Sequence, residues 1–234
     1  MTAPEGNTPD FEEMYRDERT SHGLPVATPW DIGGPQPVVQ QLVALGAITG
    51  EVLDPGTGPG HHAIHYASKG LSATGIDASP AAIERARENA AKAGVSVDFQ
   101  VADATKLDGL EGRFDTVVDC AFFHVFTGDQ ELQKSYARAL HRATKPGARL
   151  FMFEFADHNV NGFRMPRYLT ADDFRAVLPD AGWDITYVGP TAARNPEMAE
   201  GIEPLMERLR VIEPWLIDGR VHMPFWEVHA SRVG

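Results

Sequence analysis

The sequence predicts an α/β fold, a mostly parallel sheet with helices on both faces. Three observations carry this. Val52-Leu53 runs into Asp54-Pro55-Gly56-Thr57-Gly58-Pro59-Gly60, where every second residue from Gly56 is glycine. A second run, Ser72-Ala73-Thr74-Gly75-Ile76-Asp77, ends on an acid at a distance suited to one strand–helix–strand unit. Residues 114–119 and 148–155 are near-continuous apolar stretches, as in strands buried on both faces of a parallel sheet.

Each element has its own local reason. Residues 1–10 are polar and proline-bearing, which predicts a disordered tail, and 38–45 read as a leading helix. The first strand stops in the glycine loop, where the missing Cβ atoms leave room for a ligand against the main chain, and the chain restarts as a helix at His61. After the 72–77 strand, Ser79-Pro80 has the form of an N-cap followed by a first-turn proline. Ile83, Ala86 and Ala90 give that helix one apolar face, and Gly94 stops it. A third strand is predicted over 95–101, leading into Ala102-Asp103-Ala104. Leu132, Tyr136, Ala139 and Leu140 stand at helical spacing between the fourth strand (114–119) and the fifth (148–155). The turn Lys145-Pro146-Gly147 precedes the fifth strand. A helix then starts near Thr170-Ala171-Asp172-Asp173, a sixth strand covers 183–188, and the last covers 224–233. Ile202, Leu205, Met206, Leu209 and Ile212 mark an amphipathic helix within an insertion at 189–223.

A strand ending in a glycine loop and restarting as a helix is a nucleotide cradle. A dinucleotide fingerprint beginning at Gly56 requires a small residue at position 61, and His61 stands there. The pattern Asp-x-Gly-x-Gly-x-Gly from Asp54 resembles instead the first motif of class I S-adenosylmethionine-dependent methyltransferases. Asp77, Asp103 and the Lys-Pro-Gly turn extend the resemblance over 51–155. It implies a Rossmann-like seven-stranded sheet, mostly parallel with the last strand antiparallel. It also implies that Asp54, Gly56, Gly58 and Gly60 lie against S-adenosylmethionine, that Asp77 with adjoining Ala78 takes the ribose hydroxyls, and that Asp103 with Ala104 holds the adenine. The expected organisation is one domain over 1–234, with an N-terminal tail and lid at 1–37 and a cap at 189–223.

The flanks bear on the acceptor, because function lives in the parts added to a fold. Thr28-Pro29-Trp30-Asp31-Ile32-Gly33-Gly34-Pro35-Gln36-Pro37 presents a large aromatic face in a stiff loop, and such a face attracts a sulfonium. It is similar to the N-terminal motif of the thiopurine, thiol and halide methyltransferases, especially a mycobacterial and actinobacterial branch that methylates heterocyclic toxins. After the fourth strand, Asp119-Cys120-Ala121-Phe122-Phe123-His124-Val125-Phe126 lacks the Pro-Pro-aromatic sequence of enzymes that methylate adenine amines or glutamine amides. It resembles the thiol, halide and heterocycle enzymes instead, with Phe122, Phe123 and Phe126 as an apolar wall for a flat ring. Further on, Asn161 to Tyr168 precedes a helix, and Tyr168 is a further candidate for the acceptor pocket.

Methyl transfer from a sulfonium is an in-line displacement, and alignment supplies much of its acceleration. A thiolate or halide needs no base; a phenol, N-hydroxyl or ring N–H is better served by one. His124 is the first candidate, because histidine titrates near neutrality and stands at a strand tip. Asp119 is placed to orient the methionine amine or an acceptor proton, with Glu154 and Tyr168 behind it. His61 and His65 lie one helical turn apart, but His62 stands where a zinc-protease helix has glutamate, so no metal is expected.

Composition narrows the classes. The net charge of −12, from 21 basic and 33 acidic residues, opposes a nucleic-acid partner. The single cysteine, Cys120, forms no internal disulfide and suits a reducing cytoplasm. No apolar run is long enough to span a bilayer. The reading is a cytoplasmic, monomeric or homodimeric methyltransferase, using S-adenosylmethionine to methylate O, N or S of a small planar heteroaromatic compound such as a quinolone or quinolinol. Its alternatives are a thiol or halide methyltransferase, and a sensor or interaction protein that binds the cofactor without turnover.

Overall fold

The computed structural model describes residues 12, 15, 31–158, 167–197, 216–217 and 220–234. Helix α1 (Pro37–Ala44) precedes strand β1 (Glu51–Pro55), and α2 (His61–Ser68) carries the chain to β2 (Ser72–Asp77). Helix α3 (Pro80–Ala93) leads to β3 (Asp98–Val101) and then to β4 (Phe114–Cys120). A 3-10 turn at Phe123–Phe126, α4 (Gln130–Ala143) and β5 (Thr144–Phe155) follow. Helix α5 (Ala171–Val177), a second 3-10 turn (Pro179–Ala181), β6 (Trp183–Glu197), β7 (Leu216–Ile217) and β8 (Arg220–Arg232) complete the described elements.

The strands form one sheet in the order β3-β2-β1-β4-β5-β8-β6, with the two-residue β7 paired to β8 off this path. The β1–β2, β1–β4, β2–β3 and β4–β5 pairs are parallel, and β8 runs antiparallel between β5 and β6. This is the expected Rossmann-like sheet, mostly parallel with its last strand reversed. Strand order turns back between β1 and β4, and a ligand cleft opens outside the carboxyl ends of strands at such a point.

The apolar strands fill two cores. Leu53, Val117, Leu150 and Met152 face one, packed with Tyr136 and Leu140 of α4, Phe174 of α5 and Trp183. Val52, Val118, Phe151 and Phe153 face the other, with Val39, Leu42, Tyr66 and Ile83 from α1, α2 and α3. Neighbours such as Val52 and Leu53 therefore point to opposite faces, and both faces are covered, which is why these strands read as continuous apolar runs. The helix signals also operate as written. Ser79 Oγ accepts the Ala82 N–H, Pro80 opens α3, and Gly94 ends it in the left-handed region. Thr170 and Asp173 form a reciprocal capping box on α5.

Three boundaries differ from expectation. The third strand is confined to Asp98–Val101. Lys145-Pro146-Gly147 lies inside β5 rather than before it: Thr144 already pairs with Phe114, and the register shifts before Thr116 meets Arg149. Strands β6 and β8 run well beyond 183–188 and 224–233, pairing from Trp183↔Arg232 to Glu197↔Arg220. Pro190 is tolerated within β6 because β6 is the last strand of the sheet, and a proline there has an unpaired side to face. Both ends of the 189–223 insertion are thus strand. The amphipathic helix expected at 202–212 lies outside the described residues.

Gly60, the residue before α2, has φ +82°. A Cβ there would stand 2.7 Å from Phe99 Cζ and 2.9 Å from the Ala86 methyl, so this glycine lets α2 seat against α3 and the sheet. Gly60→Ala is expected to cost about 2–4 kcal/mol in urea unfolding, from left-handed strain and overpacking. An unchanged midpoint would show that Phe99 and Ala86 yield freely.

Candidate active site

A cleft of about 410 Å³ opens over the carboxyl ends of the strands, within the ordinary size range of small-molecule sites. Its floor on one side is the loop after β1. Gly56, Thr57, Gly58 and Pro59 line it, with Ile76, Asp77, Ala78 and Ser79 beside them. Asp77 Oδ2 accepts the Gly58 N–H at 3.0 Å and Oδ1 accepts the Ser79 N–H at 2.9 Å. Burial raises its carboxyl above the usual range, and these backbone donors oppose the rise. Asp103 stands at the mouth, its Oδ1 accepting from the Thr105 N–H and hydroxyl and its Oδ2 paired with Lys106 at 2.9 Å. The Thr105 hydroxyl and Lys106 hold its carboxyl below the usual range.

The opposite side is built on the tips of β4 and β5. Phe122 closes over Gly56 so tightly that a Cβ on that glycine would fall 2.3 Å from the ring. Phe122 and Phe126 meet edge to face at 5.4 Å between centroids, and both line the cleft with Val125 and Phe155. His124 lines it too, its ring edge-on to Phe155 at 4.6 Å. His124 Nδ1 lies 2.9 Å from Glu154 Oε2, and burial pushes the imidazole down to about 4. Glu154 is fully buried, accepts the N–H groups of Phe122, Phe123 and His124, and is pushed up to about 7 by burial.

A donor with a diphosphate does not fit this lining. Glu12, Asp31, Asp77 and Asp103 all face the cleft, and among the described lining residues Arg194 alone is an arginine or lysine. Bare backbone at Gly56 and Gly58, a carboxylate at the tip of β2 and an acidic surround fit a cationic nucleoside.

Known proteins agree. Residues 52–147 match the model of a methyltransferase domain. The chain is 39% identical over 146 residues to a 2-heptyl-1-hydroxyquinolin-4(1H)-one methyltransferase of Mycobacteroides abscessus. That match covers 62% of this chain and 63% of the relative, so less than two thirds of that relative's length is spanned. A probable thiol methyltransferase 2 of Arabidopsis thaliana is 27% identical over 191 residues, 78% of each chain. The solved structure described as the conversion of a disulfide bond into a thioacetal group during echinomycin biosynthesis superposes with a TM-score of 0.77 at 31% identity. It covers 95% of this chain and 92% of its own. The chain belongs to the S-adenosylmethionine-dependent methyltransferases. Its cofactor is S-adenosylmethionine.

In this methyltransferase the cleft gathers Gly56, Gly58, Asp77, Ala78, Asp103, Ala104, Phe122, His124 and Phe126 from the residues singled out in the sequence. Others lie elsewhere. Asp119 was expected to orient the methionine amine, but it is fully buried beneath the floor. Its Oδ1 accepts the Phe122 N–H at 3.1 Å and its Oδ2 the Tyr136 hydroxyl at 2.8 Å. Phe123 is not part of the acceptor wall; its ring is stacked between Tyr136 and Phe174 in the core. Tyr168 is not among the lining residues and packs, partly buried, against the core that contains Val52, Phe153 and Phe155. Asp54 and Gly60 support the loop from behind. Trp30 lies outside the described residues, as do 161–166.

Among the further lining residues, Tyr15 and Glu12 carried no local signal, while Asp31 and Gln36 come from the 28–37 motif and His61 and His62 from the start of α2. Tyr15 places its hydroxyl where a Cβ on Gly58 would be, at 2.7 Å. Glu12 Oε2 accepts the Ser79 hydroxyl and the Ala81 N–H at the start of α3. The Gln36 side chain bonds both backbone groups of Arg194, tying the β6 extension to the start of α1. His62 Nε2 accepts the Gln36 N–H, and burial pushes this imidazole down to about 3. Asp31, from the Pro-Trp-Asp motif, pairs with His61 at 2.9 Å. Burial raises its carboxyl, but His61 and the Gly33 N–H outweigh that and hold it below the usual range. Among the described residues, no group of three or more His, Cys, Asp or Glu is arranged to hold a metal ion, and no helix is long and apolar enough to cross a membrane.

Asp54 offers a test of this electrostatic picture. It is 2% exposed, and burial raises its carboxyl to about 7 against a 2.6 Å hydrogen bond from the Thr57 hydroxyl. A raised acid binds its proton more tightly folded than unfolded, so its contribution to stability falls as pH climbs from about 4 to about 7. The unfolding free energy of Asp54→Asn should therefore gain on wild type across that window and level off above it. A difference that stays flat with pH would place the carboxyl at its ordinary value.

Proposed function

We propose that this protein transfers the methyl group of S-adenosylmethionine to an oxygen, nitrogen or sulfur of a small planar heteroaromatic compound of the quinolone or quinolinol type, in the cytoplasm, as detoxification or secondary metabolism. The observation that carries the reading is His124, paired from behind by buried Glu154 and set beside Phe122 and Phe126, in the same cleft as Asp77 and the glycine loop. The quinolone methyltransferase relative supports it. The whole chain acts as one domain, with the N-terminal segment bearing Glu12 and Tyr15 as a lid and 189–223 as a cap.

Bound S-adenosylmethionine supplies an electrophilic methyl group on a sulfonium and leaves as its neutral thioether. The chain's part is to hold, align and deprotonate. Asp77 takes the ribose hydroxyls, and Asp103 sits where the adenine ends. Phe122 and Phe126 form one apolar wall against which the flat ring lies away from water, which sets the attacking atom in line with the methyl carbon; such alignment is worth roughly 7–11 kcal/mol in the best intramolecular systems. His124, neutral because burial depresses it, takes the acceptor's proton at Nε2 as the oxygen lone pair forms the new bond to carbon.

The thiol methyltransferase relative makes sulfur acceptors the second reading. A thiolate arrives already deprotonated and uses the aromatic wall without the base. The two readings part at His124. In His124→Ala, steady-state turnover on an 8-hydroxyquinoline or N-hydroxyquinolone should fall by about 10²–10⁴-fold, the usual worth of a positioned base, while turnover on a small thiol stays near wild type. Equal losses on both acceptors would reduce the histidine to a pocket wall.

The cofactor side is tested separately. Asp77→Ala removes a charged acceptor, so the affinity for S-adenosylhomocysteine by calorimetry should drop on the order of 10- to 100-fold. Unchanged affinity would move the sugar away from β2.

A further inference from the structure

We infer that Glu154 is the positioning residue of the site: its buried carboxylate fixes the proton of His124 on Nδ1 and thereby turns the Nε2 lone pair toward the acceptor. The inference rests on the reading of His124 as the base and gives a role to an acid that nothing else in the site requires. Glu154 Oε1 accepts the N–H groups of Phe122 at 3.0 Å and Phe123 at 2.8 Å. Its Oε2 accepts the His124 N–H at 3.2 Å and faces His124 Nδ1 at 2.9 Å. One carboxylate thus grips both the backbone of the 3-10 turn and the ring it displays. With three N–H donors already converging on it, the group accepts from Nδ1–H; a bare Nδ1 would set its lone pair against the carboxylate. The remaining lone pair is on Nε2, and the ring lines the cleft.

Asp119 completes the device from the neighbouring strand. The Phe122 N–H is shared between Asp119 Oδ1 and Glu154 Oε1, so two buried carboxyls crowd one donor. Burial, the charge of Glu154 and a hydrogen bond to it push Asp119 far up, which leaves the proton on Asp119 on the side facing Glu154, with the Tyr136 hydroxyl donating to Oδ2, and the charge on Glu154. When the acceptor's proton moves to Nε2, the imidazolium that forms is met by that carboxylate at Nδ1, and no second proton has to move.

Glu154→Gln isolates this role. The amide oxygen still accepts from Phe122 and Phe123, while the NH₂ group at the Oε2 position requires Nδ1 to become the acceptor and moves the ring proton to Nε2. Turnover on a hydroxyquinoline should fall about as far as in His124→Ala, turnover on a thiol should hold, and the double variant should lose no more than either single one. The step near 7 that protonation of Glu154 gives to the kcat/KM profile of the hydroxyl acceptor should vanish, while protonation of His124 at lower pH remains. Asp119 and Cys120 of β4, Tyr136 of α4, Asp54 of β1 and Arg167 also face this region. Of these, Asp54 sits near neutrality, and its effect is common to wild type and variant. If His124→Ala separates the two acceptors and Glu154→Gln does not, the inference falls while the base stands; if neither separates them, the base reading itself has failed. Should Glu154→Gln not fold, ¹⁵N-histidine NMR of the wild-type protein decides: a protonated Nδ1 on His124 supports the inference and a protonated Nε2 overturns it.

Discussion

Four adjacent strands, β2, β1, β4 and β5, each carry an acid at or near the carboxyl end, namely Asp77, Asp54, Asp119 and Glu154. A buried carboxyl without donors is expensive, so the loops that leave these strands fold back to supply them. The glycine loop gives Asp54 the Thr57 hydroxyl and Asp77 the Gly58 N–H. The turn after β4 gives Glu154 three consecutive N–H groups. The two loops then meet where Phe122 covers Gly56. Cofactor cradle and acceptor wall are joined through this requirement, and the negative surround suits a sulfonium far better than a diphosphate.

Much of the fold was legible because it is written locally. Burial on two faces leaves near-continuous apolar runs in β4 and β5, and Ser79-Pro80 with Gly94 brackets α3 by capping chemistry that needs no tertiary contact. The long β6–β8 ribbon was not legible. Gly189-Pro190 carries turn chemistry, and only the place of β6 at the end of the sheet, where ladder partners are missing on one side, makes it tolerable in a strand. Lys145-Pro146-Gly147 misled in the same way, since it bends within β5 instead of preceding it.

The site divides along the same line. Gly56, Gly58, Asp77 and Asp103 follow one another at strand tips, and a motif can report them. Which strand-tip side chains face the cleft depends on alternation and on what packs above them. Asp119 and Phe123 are turned into the core by Tyr136 and Phe174, whereas Phe122, His124 and Phe126 face outward. Glu154 is separated from His124 by thirty residues, and only the parallel β4–β5 pairing brings them together. Tyr15, Gln36 and Arg194 likewise reach the cleft through contacts distant in sequence, which no spacing rule encodes.

The central claim is that one cleft holds a sulfonium nucleoside on the β1–β2 side and presents a ring hydroxyl to His124 on the β4–β5 side. A crystal structure of the protein with S-adenosylhomocysteine and an N-hydroxyquinolone tests it most directly. The account predicts ribose hydroxyls on the Asp77 carboxylate, the ring against the wall of Phe122 and Phe126, and the hydroxyl oxygen about 3 Å from His124 Nε2. A ring oxygen turned away from His124, or a ribose bound away from Asp77, would contradict it.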